Sequence, residues 1–369
     1  MIIRFLTQKD VAEHDKITSQ AFSYACEIGD PDSVLPCEKV LGAFDDDNKT
    51  LFADLELQER TCNYDGGFLT CAAVGGVAAK PEHRGKGAVK ALFEHVFRES
   101  GCDVSVLYPF SEVYYRKLGY ERAGRSVSAA VPFSELSGIE RNHDATLYEG
   151  NDTQQLLEIY NRCEKSHNLS FVRENAQAFS SEPYASMRYT YIWKNRSFAT
   201  ICVDREKSAV LVDELCFDSR ESMLGIVGFL RNFESNQKTV CFQKLPEDTP
   251  LLRYVRDLKN CEITLHNTGS VRILNVENVL RAHRYPAAGA STLRVCDETF
   301  RVECSENGVE VGKTDLQEPD VILDVNAASQ ILLCGLSDAQ YMPGIVIRNP
   351  DSDFLKLFPP RTAFFTDAF

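Results

Sequence analysis

The chain has 369 residues, 44% apolar and 25% charged, enough to bury more than one core. Acidic residues outnumber basic ones by 54 to 40, for a net charge of −14, which argues against nucleic-acid binding by counterion release and favours a cationic ligand wherever charge selects one. No apolar run approaches a membrane span, and the N-terminal MIIRFLTQKDVAEHDKITSQAF lacks an apolar core with a small-residue cleavage site, so a cytoplasmic protein with no membrane partner is expected.

Thirteen cysteines are scattered singly with no C-x-x-C pair, and many lie in apolar strand-like runs such as LTCAAVGGVAA; they read as small buried hydrophobes in a reducing compartment. No metal site is expected from their spacing.

In chain order, a strand over residues 2–6 leads through Thr7, a plausible N-cap, into a helix carrying Val11, Ile17 and Phe22. KVLGAFDDDNKTLFADLEL reads as a hairpin around Asp45-Asp46-Asp47-Asn48, and Asp65-Gly66-Gly67 turns a second strand pair that ends in TCAAVGGVAA. The next helix places Val89, Leu92, Phe93, Val96 and Phe97 on one face. A strand over 104–108 and a short helix over 111–118, closed by Gly119, complete a mixed α/β unit.

PFSELSGIERNHDA is polar and lacks periodicity, so the first boundary is placed there. From Thr146 the element order repeats: a helix near 154–164, strands YTYIWKN, SFATICVD and AVLVDELCF, a helix near 221–233, and strand KTVCFQK. From about residue 268 hairpins dominate (TLRVCDETFRVEC, GVEVGK), followed by a helix NAASQILLCG with Asn326 as its expected cap. The chain then closes on PPRTAFFTDAF, whose apolar residues predict a tail that docks rather than frays.

The chemistry concentrates in VGGVAAKPEHRGKGAVKALFEHV, where a strand runs through Pro81 into the loop Arg84-Gly85-Lys86-Gly87 and then the amphipathic helix. Loop amides and the positive helix end converge there, which suits a pyrophosphate, while a purely structural turn fits the same residues. The segment is neither a G-x-G-x-x-G fingerprint nor a Walker loop.

Strand, PEHRGKG, helix, strand and YYRKLGY together resemble the GNAT superfamily of acetyl-CoA-dependent N-acetyltransferases, with the R-x-x-G-x-G/A pattern falling on Arg84, Gly87 and Val89. Val89 departs from the usual small residue. That departure, FSEVYYRKLGYE and the three-part length resemble the enhanced intracellular survival (Eis) family, whose members join two GNAT units to a sterol-carrier-protein-like α+β domain. The resemblance is motif-level over about residues 69–121 and architectural beyond. It implies an α/β chain with a catalytic GNAT unit over 1–140, a degenerate second unit over 141–267 and the sterol-carrier-like unit over 268–369.

The same resemblance implies site residues. Backbone groups of Val77, Ala78 and Ala79 would hold the pantetheine arm, the run Arg84, Gly85, Lys86, Gly87, Ala88, Val89 and Lys90 the pyrophosphate, and Ser111 the acetyl end. Only the first unit would bind acetyl-CoA, because the second has no RGKG-like loop. Tyr115 would protonate the departing thiolate, and the Phe369 carboxylate would be the base, desolvated by Phe364 and Phe365; CAAVGGVAA itself offers neither carboxylate nor imidazole, and His83 lies in the phosphate loop.

Eis proteins acetylate amines of cationic small molecules such as aminoglycosides, some act on protein lysines, and they are homo-oligomers, often hexamers. Asp367 is expected to help hold a substrate ammonium. The rival readings are a protein or peptide lysine acetyltransferase and a non-catalytic protein that binds coenzyme A or an apolar ligand.

Overall fold

The computed structural model describes residues 1–23, 28, 39–175, 179, 186–306 and 308–367. The first stretch comprises β1 (Ile2–Phe5), α1 (Val11–Phe22), β2 (Val40–Phe44), β3 (Leu51–Tyr64), β4 (Gly67–Ala79), α2 (Ala88–Glu99), β5 (Val104–Leu107), α3 (Glu112–Arg116) and β6 (Glu121–Pro132). Asp65 and Gly66 take positive φ of 51° and 83°, the left-handed pair that joins twisted antiparallel strands with a two-residue loop. Alternation then sorts the faces: Ala72 and Val74 meet Leu92, Phe93 and Val96 of α2, while Cys71 and Ala73 face the opposite core.

The second stretch repeats the order with β7 (Ala145–Leu147), α4 (Thr153–Glu164), β8 (Tyr189–Trp193), β9 (Ser197–Asp204), β10 (Ala209–Phe217), α5 (Arg220–Leu230) and β11 (Thr239–Pro246). β12 (Glu262–Ile273) follows and runs through residue 267. Among the described residues, twelve strands form one continuous sheet in the order β1-β2-β3-β4-β5-β12-β6-β11-β10-β9-β8-β7.

β12 and β6 are its seam. β12 pairs antiparallel with β5 on one side and β6 on the other, and β6 pairs antiparallel with β11, so the same two strands complete both halves.

The last stretch holds α6 (Val276–Ala282), β13 (Gly289–Val295), β14 (Glu298–Ser305), β15 (Gly308–Lys313), β16 (Val321–Leu323), α7 (Val325–Cys334), β17 (Ile345–Ile347) and α8 (Phe354–Leu357). Its five strands form a separate sheet, β15-β14-β13-β16-β17. Val279, Leu280, Ile331 and Leu332 of α6 and α7 share one core with Tyr64, Cys71, Val104 and Val106, so this sheet's helices cover the face of the first sheet that α2 leaves open.

Two local expectations are corrected. The cap of α7 is Asp324, whose carboxylate accepts the Ala327 amide at 2.8 Å; Asn326 instead donates to the carbonyls of Arg116 and Tyr120, tying α7 to the end of α3. The polar stretch after β6 is also more than a connector. Phe133, Leu136 and Ile139 are buried in the core of the second half, a three-residue spacing hidden among charged neighbours. Among the described residues no helix is long and apolar enough to cross a membrane.

Candidate active site

β4 and β5 are paired only from Cys71–Ala73 to Val104–Val106. Beyond Ala73, β4 continues alone along β3, and a register shift between Asp54 and Glu56 inserts an extra β4 residue beside Gly76, which takes a φ of 54°. The two parallel strands therefore diverge, leaving the C-terminal half of β4 with no strand on its β5 side. Val77 lies half-buried on this free edge, Ala78 turns into the core beside α1, and Ala79 pairs with Ala53.

From Ala79 the chain passes a single turn at Pro81–His83 into the basic loop. Arg84, Gly85, Lys86 and Gly87 are all exposed, and Gly85 and Gly87 take φ of 79° and 83°, where a Cβ would be strained although it would meet no atom within 4 Å. α2 starts at Ala88 with no side-chain cap and no acidic residue in its first turn. Its leading N–H groups and positive dipole end therefore face open space beside two glycines, and the residues present fit a pyrophosphate.

Ala88 is buried, Val89 half-buried, and Lys90 points outward to Glu94 at 3.5 Å. His83 stacks on Phe52 with centroids 4.3 Å apart, and its Nδ1 lies 3.0 Å from Lys86 Nζ, which suits it to shaping the loop.

Past β5, Ser111 caps α3 by accepting the Tyr114 amide at 3.4 Å. One turn on, Tyr115 is 3% exposed, its ring edge-on to Phe93, Phe110, Tyr114 and Tyr120 at 5.2–6.1 Å. Burial, and secondarily Tyr114, pushes its phenol well above the ordinary tyrosine range. No described group hydrogen-bonds its hydroxyl. Phe110 and Val113, exposed by 76% and 69%, form an apolar lip beside it.

The tail docks. The 169–172 segment hydrogen-bonds the β3 edge at Thr61 and Asn63, and Ala363 in turn bridges Asn168, so the tail lies alongside an extension of the first sheet. Phe364 and Phe365 are 6% and 1% exposed. Phe365 lies so flat on β6 and β12 that a Cβ at Gly124 or Gly269 would come within 2.3 and 2.7 Å of its ring. Tyr160 hydrogen-bonds Thr366, Lys244 donates to the Thr366 carbonyl at 3.3 Å, and Tyr108 donates to the Asp367 carbonyl. Burial lowers the Lys244 ammonium pKa, against the raising influence of Asp367. Phe369 lies outside the described residues.

Asp367 is not free for a substrate ammonium. Its carboxylate binds Arg173 at 2.7 Å and Arg60 at 3.3 Å, and Arg173 also holds Glu214 at 2.8 Å. Sequence reasoning missed this cluster because its members come from four distant segments with no shared motif; the charged Asp367 inside an apolar tail was the one available signal. The cluster borders a cleft of about 1010 Å³ between the two halves, where Glu59 and Glu174 carry carboxylates that no described cation neutralises.

Residues 3–123 match the family described as the acetyltransferase (GNAT) domain. Over its whole length the chain resembles Eis1 from Mycobacterium abscessus (TM-score 0.84, 20% identity, 100% of both chains). It likewise resembles GCN5-related N-acetyltransferases from Anabaena variabilis (0.83, 19%, 100% of both) and Kribbella flavida (0.81, 17%, 100% of this chain and 98% of that one). No curated protein matches it. At such identities the structural likeness establishes the fold, and the family match establishes the domain. Residues 3–123 carry a GNAT acetyltransferase domain, and the whole chain has the fold seen in Eis1.

Proposed function

We propose that this enzyme transfers the acetyl group of acetyl-CoA to an amine of a cationic small molecule, aminoglycoside-like or a polyamine. The observation that carries the reading is the first half's diverging β4 and β5 beside a helix end left open by two left-handed glycines, with Tyr115 buried next to it. The net charge of −14 and the carboxylates of Glu59 and Glu174, which no described cation neutralises, favour a cationic acceptor in the cleft.

Acetyl-CoA supplies the thioester as co-substrate. Arg84, Lys86 and the amides of Gly85, Gly87, Ala88, Val89 and Lys90 bind its pyrophosphate, and the free β4 edge at Val77, Ala78 and Ala79 hydrogen-bonds the pantetheine arm. Val77 also contributes an oxyanion donor, and Ser111 orders the loop at the acetyl end. Tyr115 donates a proton to the leaving sulfur; its raised pKa keeps the phenol protonated throughout the neutral range.

The base is the Phe369 carboxylate. Two residues past Asp367 extend at most about 7 Å, so the pinned Asp367 restricts where that group can go. We divide the chain into a catalytic unit over 1–140, a second unit over 141–267 and a sterol-carrier-like unit over 268–369.

The test is thiol release from acetyl-CoA across a panel of aminoglycosides, polyamines and lysine peptides, using protein without a C-terminal tag. Turnover with polycationic small molecules is expected. Turnover confined to lysine peptides would replace the substrate class, and acetyl-CoA binding without any turnover would overturn the enzymatic assignment of this site.

A further inference from the structure

The second half keeps the ground plan of the cofactor-binding unit. β10 runs parallel to β11 over Ala209–Val212 and Thr239–Phe242, is bulged at Asp213, and leads into α5, just as β4 pairs with β5, bulges and leads into α2. The place equivalent to the cofactor cleft is where the ends of β10 and β11 meet the start of α5. A cavity of about 970 Å³ lies there, lined by Phe217, Ser219 and Met223 from one side and Pro246 and Thr249 from the other. That volume accommodates a small-molecule ligand.

The lining carries the opposite sign from the chain as a whole. Arg162, Lys165, Arg220, Arg284 and Arg361 face only Asp65, Asp218 and Asp248. All three acids are already engaged: Asp65 binds Arg361 at 3.0 Å, Asp218 binds Arg162 at 2.9 Å, and Asp248 accepts the Thr362 hydroxyl at 2.6 Å. Among the described residues, the side chains of Lys165, Arg220 and Arg284 have no carboxylate partner. Two further donors are buried without partners, Nη1 of Arg361 and Oγ1 of Thr249, the latter on a residue 5% exposed. Arg220 lies over the Tyr254 ring at 5.8 Å, and guanidinium and ammonium groups without carboxylate partners among the described residues, clustered around one cavity in an acidic protein, match the oxygens of a phosphoanhydride.

We propose that this cavity binds a phosphoanhydride-bearing small molecule through Lys165, Arg220 and Arg284, with Arg361 and Thr249 supplying additional donors. Recognition differs from that in the first half, because the α5 end is closed by its own Ser219 and the side chains must do the work that backbone amides do at α2.

The experiment is titration calorimetry of the full chain with inorganic pyrophosphate and with ADP. An Arg84→Ser/Lys86→Ser variant, which disables the loop before α2, is expected to retain one pyrophosphate site. A Lys165→Ser/Arg220→Ser/Arg284→Ser variant is expected to weaken that site about a hundredfold, and Arg220→Glu alone at its exposed position about tenfold. ADP binding more tightly than pyrophosphate would identify a nucleotide, and equal affinity a bare phosphoanhydride group; both support the site. Loss of all pyrophosphate binding in the Arg84/Lys86 variant, or undiminished binding in both Arg220 variants, would overturn it.

Discussion

The two halves of the large sheet share a plan and differ at the helix that follows the bulged strand. Before α2 the chain makes a long exposed loop with two left-handed glycines, and the helix begins with no side chain over its end. Before α5 there is only Asp218-Ser219; Ser219 accepts the Ser222 amide at 3.2 Å, and Asp218 takes the Ser222 hydroxyl at 2.8 Å. The bulge differs in kind as well. Gly76 leaves the first open, whereas the second is followed by Glu214, which is tied to Arg173 and through it to the tail. Folding thus needs the strand order and the bulge, while the proposed acetyl transfer needs a helix end kept open and a strand edge left unpaired.

The sharpest way to break this comparison exchanges the tyrosines that follow β5 and β11. Tyr115 lies in the last turn of α3, and Tyr254 ends the short turn after β11. Tyr115→Phe is expected to lower turnover by about two to four orders of magnitude, the scale of losing a general acid, while Tyr254→Phe leaves it unchanged. Steady-state kinetics with matched acetyl-CoA binding decides between them. Equal rates for both variants would place the acid elsewhere. Because burial lifts the Tyr115 phenol, the wild-type profile should show no loss from its titration below about pH 10.

A second test removes the tie between the tail and the second half. Arg173 is about nine-tenths buried, stacks on Tyr160 at 3.7 Å and holds both Asp367 and Glu214. Arg173→Ala leaves Glu214 without its cation and Asp367 with Arg60 alone, and is expected to cost about 3 kcal/mol of stability, measured by chemical denaturation. Restoring the balance with Asp367→Asn in the same chain should recover part of that loss. Absence of recovery would mean that Arg173 acts through packing on Tyr160 alone.

What could be read from the sequence follows the range of the interactions. Helix α2 is legible because Leu92, Phe93 and Val96 recur at helical spacing, and the hairpins because Asp65-Gly66 and Asp45–Asn48 are turn residues in themselves. The loop at Arg84–Gly87 is legible because its glycines and cations are adjacent. The seam is not: β12 reaches its place between β5 and β6 from far along the chain, and no local pattern names its partners. The Asp367 cluster is illegible for the same reason. Its charge reads as available until Arg60 and Arg173 arrive from other segments. The mistaken cap at Asn326 shows the residual ambiguity, since Asp324 and Asn326 are both good capping residues and only the tertiary pull of the Arg116 and Tyr120 carbonyls separates them.

Acid asks whether the last stretch is held to the first half. His283, buried between Asp65 and Arg361 and hydrogen-bonded to Tyr64, has its pKa brought down to about 4, first by burial and then by the Arg361 charge. Tyr285 packs on the same ring. The unfolded chain binds this proton near pH 6.5, more readily than the folded one, so the contribution of neutral His283 is intact above about 6.5 and is lost as the pH falls toward 4. The loss is on the order of 2–3 kcal/mol across that window. Denaturation at pH 7 and pH 5 should show the fall, and His283→Gln should flatten it; an equal slope in the variant would assign the acid sensitivity to other groups.

The smallest effect tests the two helix ends directly. Ser219→Ala removes the cap of α5 and is expected to cost about 1 kcal/mol with no change in the KM for acetyl-CoA. Gly87→Ala forces a Cβ into a left-handed conformation, at about 1–2 kcal/mol, in the loop proposed to bind the pyrophosphate. There the stability loss should be matched by a rise in KM of about tenfold, because the strained loop withdraws its amides from the phosphate path. The two substitutions are comparable in stability and differ in binding. If Gly87→Ala destabilises without raising KM, the open end of α2 is structural, and the contrast between the halves lies in the free edge of β4 alone.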